Sequence, residues 1–175
     1  MTIARVNAVS GFEAVELSAG ASEFTVAAKS YLLELRAKLL IGLAKGTAIE
    51  TLIGQYREAI DALLVKAWKL SLTSDAELAL VATGGYGRGE MYPHSDIDIL
   101  VCGSESAQNK HADAIGRFFS LLWDAGLKLS QAVRSIEQCL QESRSDPSTY
   151  TALLETRWLC GNPDILMALE TAIRA

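Results

Sequence analysis

The amino-acid sequence predicts an α/β fold, a small mixed sheet with flanking helices and an N-terminal helical hairpin. Three observations predict it. Two stretches of helical periodicity, separated by Gly46, fill the chain from Ser22 to Leu72. A short apolar run, Leu78 to Ala82, stops at Gly84-Gly85 and reads as a strand entering a tight turn. A second run, Asp96-Ile97-Asp98-Ile99-Leu100-Val101-Cys102, alternates carboxylates with isoleucines, as a strand with two different faces does.

Taken in order, Met1 to Gly20 has no period and reads as an arm or disordered tail. From Ser22, apolar residues Tyr31, Leu32, Leu35, Leu39 and Leu43 recur at helical spacing until Gly46 ends the helix. Thr47-Ala48-Ile49-Glu50 reads as a capping box for the next helix. Its stripe is Ile49, Leu52, Ile53, Tyr56, Ile60, Leu63, Leu64 and Ala67. The turn between them is short, so the two helices pair as a hairpin over 21–72.

The central stretch follows, within a core expected over 75–145. Gly103 to Asn109 reads as a polar loop. Ile115, Phe118, Phe119, Leu122 and Trp123 mark a helix stopped by Gly126, its aromatic side packed on the sheet. Leu127 to Val133 reads as a third strand, and Ser135 caps a short helix carrying Ile136 and Leu140. Asp146-Pro147 opens a helix ending near Gly161, and Asn162-Pro163 opens the last one. Residues 146–175 are therefore expected to be helices packed on the core or leading into further domains.

Composition narrows the function. The chain has 175 residues, 50% hydrophobic and 21% charged, which suits a globular domain with a buried core. A net charge of −5 supplies no basic field for DNA or RNA, so no nucleic acid is expected. No apolar run reaches membrane-spanning length, so no membrane partner is expected. Cys102, Cys139 and Cys160 lack metal-ligand spacing and read as buried reduced thiols, consistent with a cytoplasmic protein.

The chemistry concentrates between Leu78 and Cys102. Gly84 and Gly85 let the backbone approach a ligand closely, and free amides opening the next helix attract phosphate. Asp96 and Asp98 point to one face of a strand and form a hard-oxygen pair suited to Mg²⁺, with Mn²⁺ as its alternative. Burying two like charges in an apolar run is costly without a cation between them. A glycine turn for phosphate and an Asp-x-Asp for metal together indicate a nucleoside triphosphate with its ion. Ser95 is a candidate phosphate contact. Arg88 is a candidate for neutralising phosphate or for pairing with Glu90.

Gly84-Gly85-Tyr86-Gly87-Arg88-Gly89-Glu90, followed by Pro93-His94-Ser95-Asp96-Ile97-Asp98, closely resembles the nucleotidyltransferase core of the bacterial PII uridylyltransferase family, within the polymerase-β-like superfamily. Gly126 to Ser135, Thr151 to Arg157 and Gly161-Asn162-Pro163 share the resemblance. It covers roughly the last 100 residues strongly and the helical part loosely. It implies the sheet of that superfamily with its active site on an open face. It also implies Asp96 and Asp98 as catalytic metal ligands, UTP as donor, and a tyrosine hydroxyl of a PII-type signalling protein as acceptor. One feature departs from the pattern: the superfamily carries a third carboxylate on a later strand, and Lys128 to Arg134 contains no acid. Glu137 and Glu155 are nearby acids, the first read at a helix start and the second within a helix. Arg134 and Arg157 are candidates both for the triphosphate and for structural pairing.

That family's enzymes are several times longer, so the chain is expected to be an N-terminal fragment or a stand-alone relative without the uridylyl-removing and ligand-sensing parts. Two other readings compete with transfer to a protein. One is a nucleotide-binding or scaffold module without turnover, which the missing acid favours; the other is a transferase of the same fold acting on a small molecule.

Overall fold

A computed structural model describes residues 20–72 and 77–175. The arm expected over 1–20 lies almost entirely outside them. Helix α1 spans Ala21–Ala44 and α2 spans Ile49–Ser71. Gly46 turns the chain between them with φ 77°, a left-handed value natural to glycine. The expected capping box does not form: the N-cap of α2 is Ala48, without a side-chain cap bond. The Thr47 amide instead donates to Gly42 O at 3.0 Å, closing the end of α1.

Four strands follow, β1 Ala79–Ala82, β2 Ile97–Cys102, β3 Leu129–Arg134 and β4 Arg157–Gly161, ordered β3-β2-β1-β4. β1 is antiparallel to β2 and β4, while β2 and β3 are parallel. The short α3, Gly84–Gly87, lies between β1 and β2. The parallel pair needs a crossover, supplied by α4 (Glu105–Lys110) and α5 (Ala112–Asp124). Helices α6 (Ile136–Ser145), α7 (Pro147–Leu154) and α8 (Pro163–Arg174) complete the fold.

Two sequence expectations are corrected here. The polar loop at 103–109 contains α4, because Ser104 accepts a hydrogen bond from the Ala107 amide and starts a helix. The helix from Asp146 stops at Leu154, and Arg157–Gly161 form β4. Arg-Trp-Leu-Cys-Gly has no β-branched residue and no clean alternation, so local pattern does not announce it. It is a strand because the free side of β1 needs hydrogen-bond partners. Its register shifts beside Leu80 and Val81, and both Leu159 and Cys160 are buried there.

The sheet separates two cores. Leu80, Ala82, Ile97, Ile99 and Val101 face the larger one with α1, α2 and α5. There Trp68 meets Phe118 edge to face, ring centroids 5.4 Å apart. Ala79, Val81, Leu100 and Cys102 face the smaller one under Cys139 of α6, Leu153 of α7 and Leu169 of α8. All three cysteines are free and buried, as expected. Among the described residues no helix is long and apolar enough to cross a membrane.

Candidate active site

Alternation along β2 places Asp98 on the same side of the sheet as Leu100 and Cys102. Leu100 and Cys102 lie under the second helical layer, whereas Asp98 reaches a cleft of about 470 Å³ beyond it. The Asp98 carboxyl sits above the usual carboxylate range, first because burial disfavours its charge and then because Asp96 is near. The Ser130 side chain beside it pulls the other way. Ser130 is the register partner of Asp98 across the parallel β2–β3 pair.

The glycine turn lies over this carboxylate. The Thr83 amide donates to the Asp98 carbonyl oxygen at 3.0 Å, tying the start of the turn to β2. Gly84 then takes φ 56°, and a Cβ placed on it would come within 3.7 Å of Asp98 Oδ2. A side chain there is strained whatever the space. The turn closes through Gly87 N to Thr83 O at 2.9 Å and Arg88 N to Gly84 O at 3.0 Å. The amides of Gly84, Gly85 and Tyr86 find no acceptor among the described residues, as expected of a helix start.

Gly84, Gly85, Arg88 and Asp98 thus line one cleft, joined by Ser130 and Thr149. Arg88 pairs with Glu90 at 2.8 Å, the structural alternative read from sequence, and also with Glu155. Glu155 is the C-cap of α7, not a residue within it, and its side chain turns to the cleft. Asp96 precedes β2, is exposed, and has Oδ1 3.9 Å from Lys128 Nζ. Ser95 sits in the preceding turn, its amide bonded to Tyr92 O at 3.0 Å. Neither Asp96 nor Ser95 lines the cleft. Arg134 does line it, with Nη2 3.8 Å from Glu142 Oε2. Arg157 is turned inward onto Asp61 of α2, at 2.7 Å.

Sequence reading missed Ser130, Thr149 and Asp61. Asp146-Pro147 announced the start of α7, and Asp146 does cap it through the Ser148 and Thr149 amides. Nothing local showed that the helix borders the cleft. Asp61 lies next to Ile60 at the border of the apolar stripe of α2, half-buried, one turn after the charged Arg57 and Glu58, so local pattern does not mark it.

Residues 65–155, more than half of the chain, match the family model described as nucleotidyltransferase domain. The chain belongs to the nucleotidyltransferase domain family. The match begins in α2 and ends at Glu155, so it holds the turn, β2 and the cleft side of α7. This nucleotidyltransferase domain is also similar to proteins named bifunctional uridylyltransferase/uridylyl-removing enzyme. The one from Xanthomonas axonopodis pv. citri (strain 306) is 41% identical over 155 residues, covering 89% of this chain and 18% of the relative. The one from Cupriavidus pinatubonensis (strain JMP 134 / LMG 1197) is 41% identical over 127 residues, 73% of this chain and 14% of the relative. The chain therefore spans less than a fifth of these relatives' length.

Proposed function

We propose that this domain binds UTP with Mg²⁺ and transfers its uridylyl group to a tyrosine hydroxyl of a PII-type signalling protein, releasing pyrophosphate. The observation that carries the reading is Asp98, a half-buried carboxylate facing the glycine turn across one cleft. Among the described residues no three metal-ligating side chains gather. Two carboxylates, Asp98 in the cleft and Asp96 just before β2, suit Mg²⁺, which is held by one or two carboxylates plus substrate phosphates. When bound, the ion would neutralise phosphate charge and favour in-line displacement at the α-phosphorus. The chain's own residues bind and orient. The amides of Gly84, Gly85 and Tyr86 receive phosphate oxygens, and Asp98 would hold the ion beside them. Arg88 is held at the rim between Glu90 and Glu155, where it can exchange a carboxylate for a phosphate.

The uridylyl group is supported by the relatives' names, and the protein acceptor by the sequence resemblance. A second reading, nucleotide binding with little turnover, is favoured by Ser130 standing beside Asp98 where a further acid would strengthen a metal site. The test is incubation with each labelled nucleoside triphosphate, Mg²⁺ and a PII-type protein. UTP is expected to bind preferentially and to be the nucleotide whose label transfers, weakly by this chain alone; no transfer at all would favour the second reading. Equal affinity for all four nucleotides would overturn the uridylyl assignment, and robust transfer would overturn the low-turnover expectation.

A further inference from the structure

Tyr86 is the single residue of the Gly84–Gly87 turn that has a side chain, and that side chain is buried. Its hydroxyl donates to Asp61 Oδ1 of α2 at 2.5 Å. Arg157 of β4 grips the same carboxylate with both arms, Nη1 to Oδ2 at 2.7 Å and Nη2 to Oδ1 at 3.0 Å. The Nη2 group also donates to the Tyr86 carbonyl oxygen at 3.3 Å, and the guanidinium carbon lies 5.2 Å from the Tyr86 ring centroid. Two elements distant in sequence, α2 and β4, thus converge on one residue through its hydroxyl, ring and carbonyl.

Simple anchoring of α2 to β4 does not require this arrangement. Ile60 and Leu64 of α2 already share one apolar core with Leu159 of β4. A half-buried ion pair is a weak source of stability, and apolar residues of similar volume often do as well. The convergence on Tyr86 is what an ion pair adds. Glycines leave the turn's backbone free to wander, and anion binding by amides is strong only when the amides are held in place beforehand.

We propose that Asp61, Tyr86 and Arg157 are positioning residues that hold the Gly84–Gly87 amides in the orientation that receives a phosphate group. The inference rests on the reading of that turn as the phosphate site. Asp61 orients Arg157 and Tyr86, and the two together pin the turn from its side chain and from its carbonyl. None of the three side chains touches the nucleotide.

Two variants test it in the full chain. Tyr86→Phe removes the hydroxyl and keeps the Asp61–Arg157 pair. Arg157→Lys keeps a cation against Asp61 but loses the planar fork that spans the carboxylate and the Tyr86 carbonyl. Both are expected to remain folded by thermal unfolding, with Kd for Mg²⁺–UTP raised about 10- to 100-fold, the range for losing an outer-shell support. Amide hydrogen exchange within residues 84–88, at the hydrogen-bonded Gly87 and Arg88 amides, should quicken, while exchange in α5 keeps its wild-type rate. Lowered Tm with unchanged Kd and unchanged exchange over 84–88 would overturn the proposal and leave a merely structural pair. If one variant fails to fold, the other decides. A wild-type chain that binds no UTP would overturn the phosphate reading. That failure is seen separately, because the exchange comparison needs no nucleotide, and unchanged exchange alone overturns the positioning role.

Discussion

Ser130 on β3 stands in register with Asp98 on β2, and its side chain lowers the Asp98 carboxyl against the rise that burial imposes. Because the strands are parallel and in register, the two side chains rise from the same face. A carboxylate at 130 would therefore join the hard-oxygen cluster directly. Ser130→Asp is expected to tighten Mn²⁺ binding in the absence of nucleotide and to lower Tm without metal, since a like charge is added beside Asp98. Calorimetric titration with Mn²⁺ checks the first half; unchanged affinity would show that position 130 is too far from the ion.

Asp98→Asn should abolish metal-dependent UTP binding while the fold survives. The same change should raise Tm of the metal-free protein at neutral pH. The sign follows from the raised Asp98 carboxyl: burial, with Asp96 adding to it, disfavours the charged form in the folded state. Stability is thus fullest below the unfolded carboxylate value, about 3.9, and is lost as pH rises through the folded one. The gain of Asp98→Asn should be present at pH 7 and vanish towards pH 3. Thermal melts across that range check it; a gain independent of pH would show that charge is not its source.

Gly85→Val separates folding from binding. A Cβ at Gly85 meets only Arg88 Nη2 and the Glu90 carbonyl oxygen, both at ordinary 3.7 Å contact, and the backbone there is not left-handed. The variant should fold with Tm close to wild type and lose affinity for Mg²⁺–UTP. Normal binding would place the phosphate elsewhere.

Gly87→Ala should do the opposite. Its Cβ would overlap the Glu155 carbonyl oxygen and come within 3.1 Å of Ala82 O, backbone atoms that cannot step aside. Destabilisation of about 1–3 kcal/mol is expected from such overpacking. Urea unfolding measures it, and a neutral result would mean that the chain after α7 yields at low cost.

Ser135→Ala removes a complete capping box, in which Ser135 accepts from the Gln138 amide and Gln138 accepts from the Ser135 amide. Ser135 is buried, so water cannot replace the lost bond. The expected loss is about 1 kcal/mol, or roughly 2–4 °C in Tm for a chain of this size. Restoration by Ser135→Thr, which keeps a capping hydroxyl, would identify the cap as the cause.

Local signals were legible where the chain's own chemistry decides the outcome. Asp146-Pro147 and Asn162-Pro163 start helices as read, because a side-chain oxygen and a proline at the first position act within one turn. Gly46 and Gly126 end helices with φ 77° and 85°, values their lack of a Cβ permits. Thr47-Ala48-Ile49-Glu50 misled because the Thr47 amide is taken by the preceding helix. Residues 157–161 misled because a strand's partner, not its composition, makes it a strand.

By itself the sequence determined the two-faced β2 strand, the glycine turn and the apolar stripes of α2 and α5, since each follows from side-chain period and backbone freedom. It could not determine which distant groups meet. Tertiary structure alone turned Arg157 away from the cleft onto Asp61, drew Glu155 out to Arg88, and set Ser130 beside Asp98. Those outcomes depend on strand order and register, quantities that hydrogen bonding across the whole sheet selects and no local stretch of residues encodes.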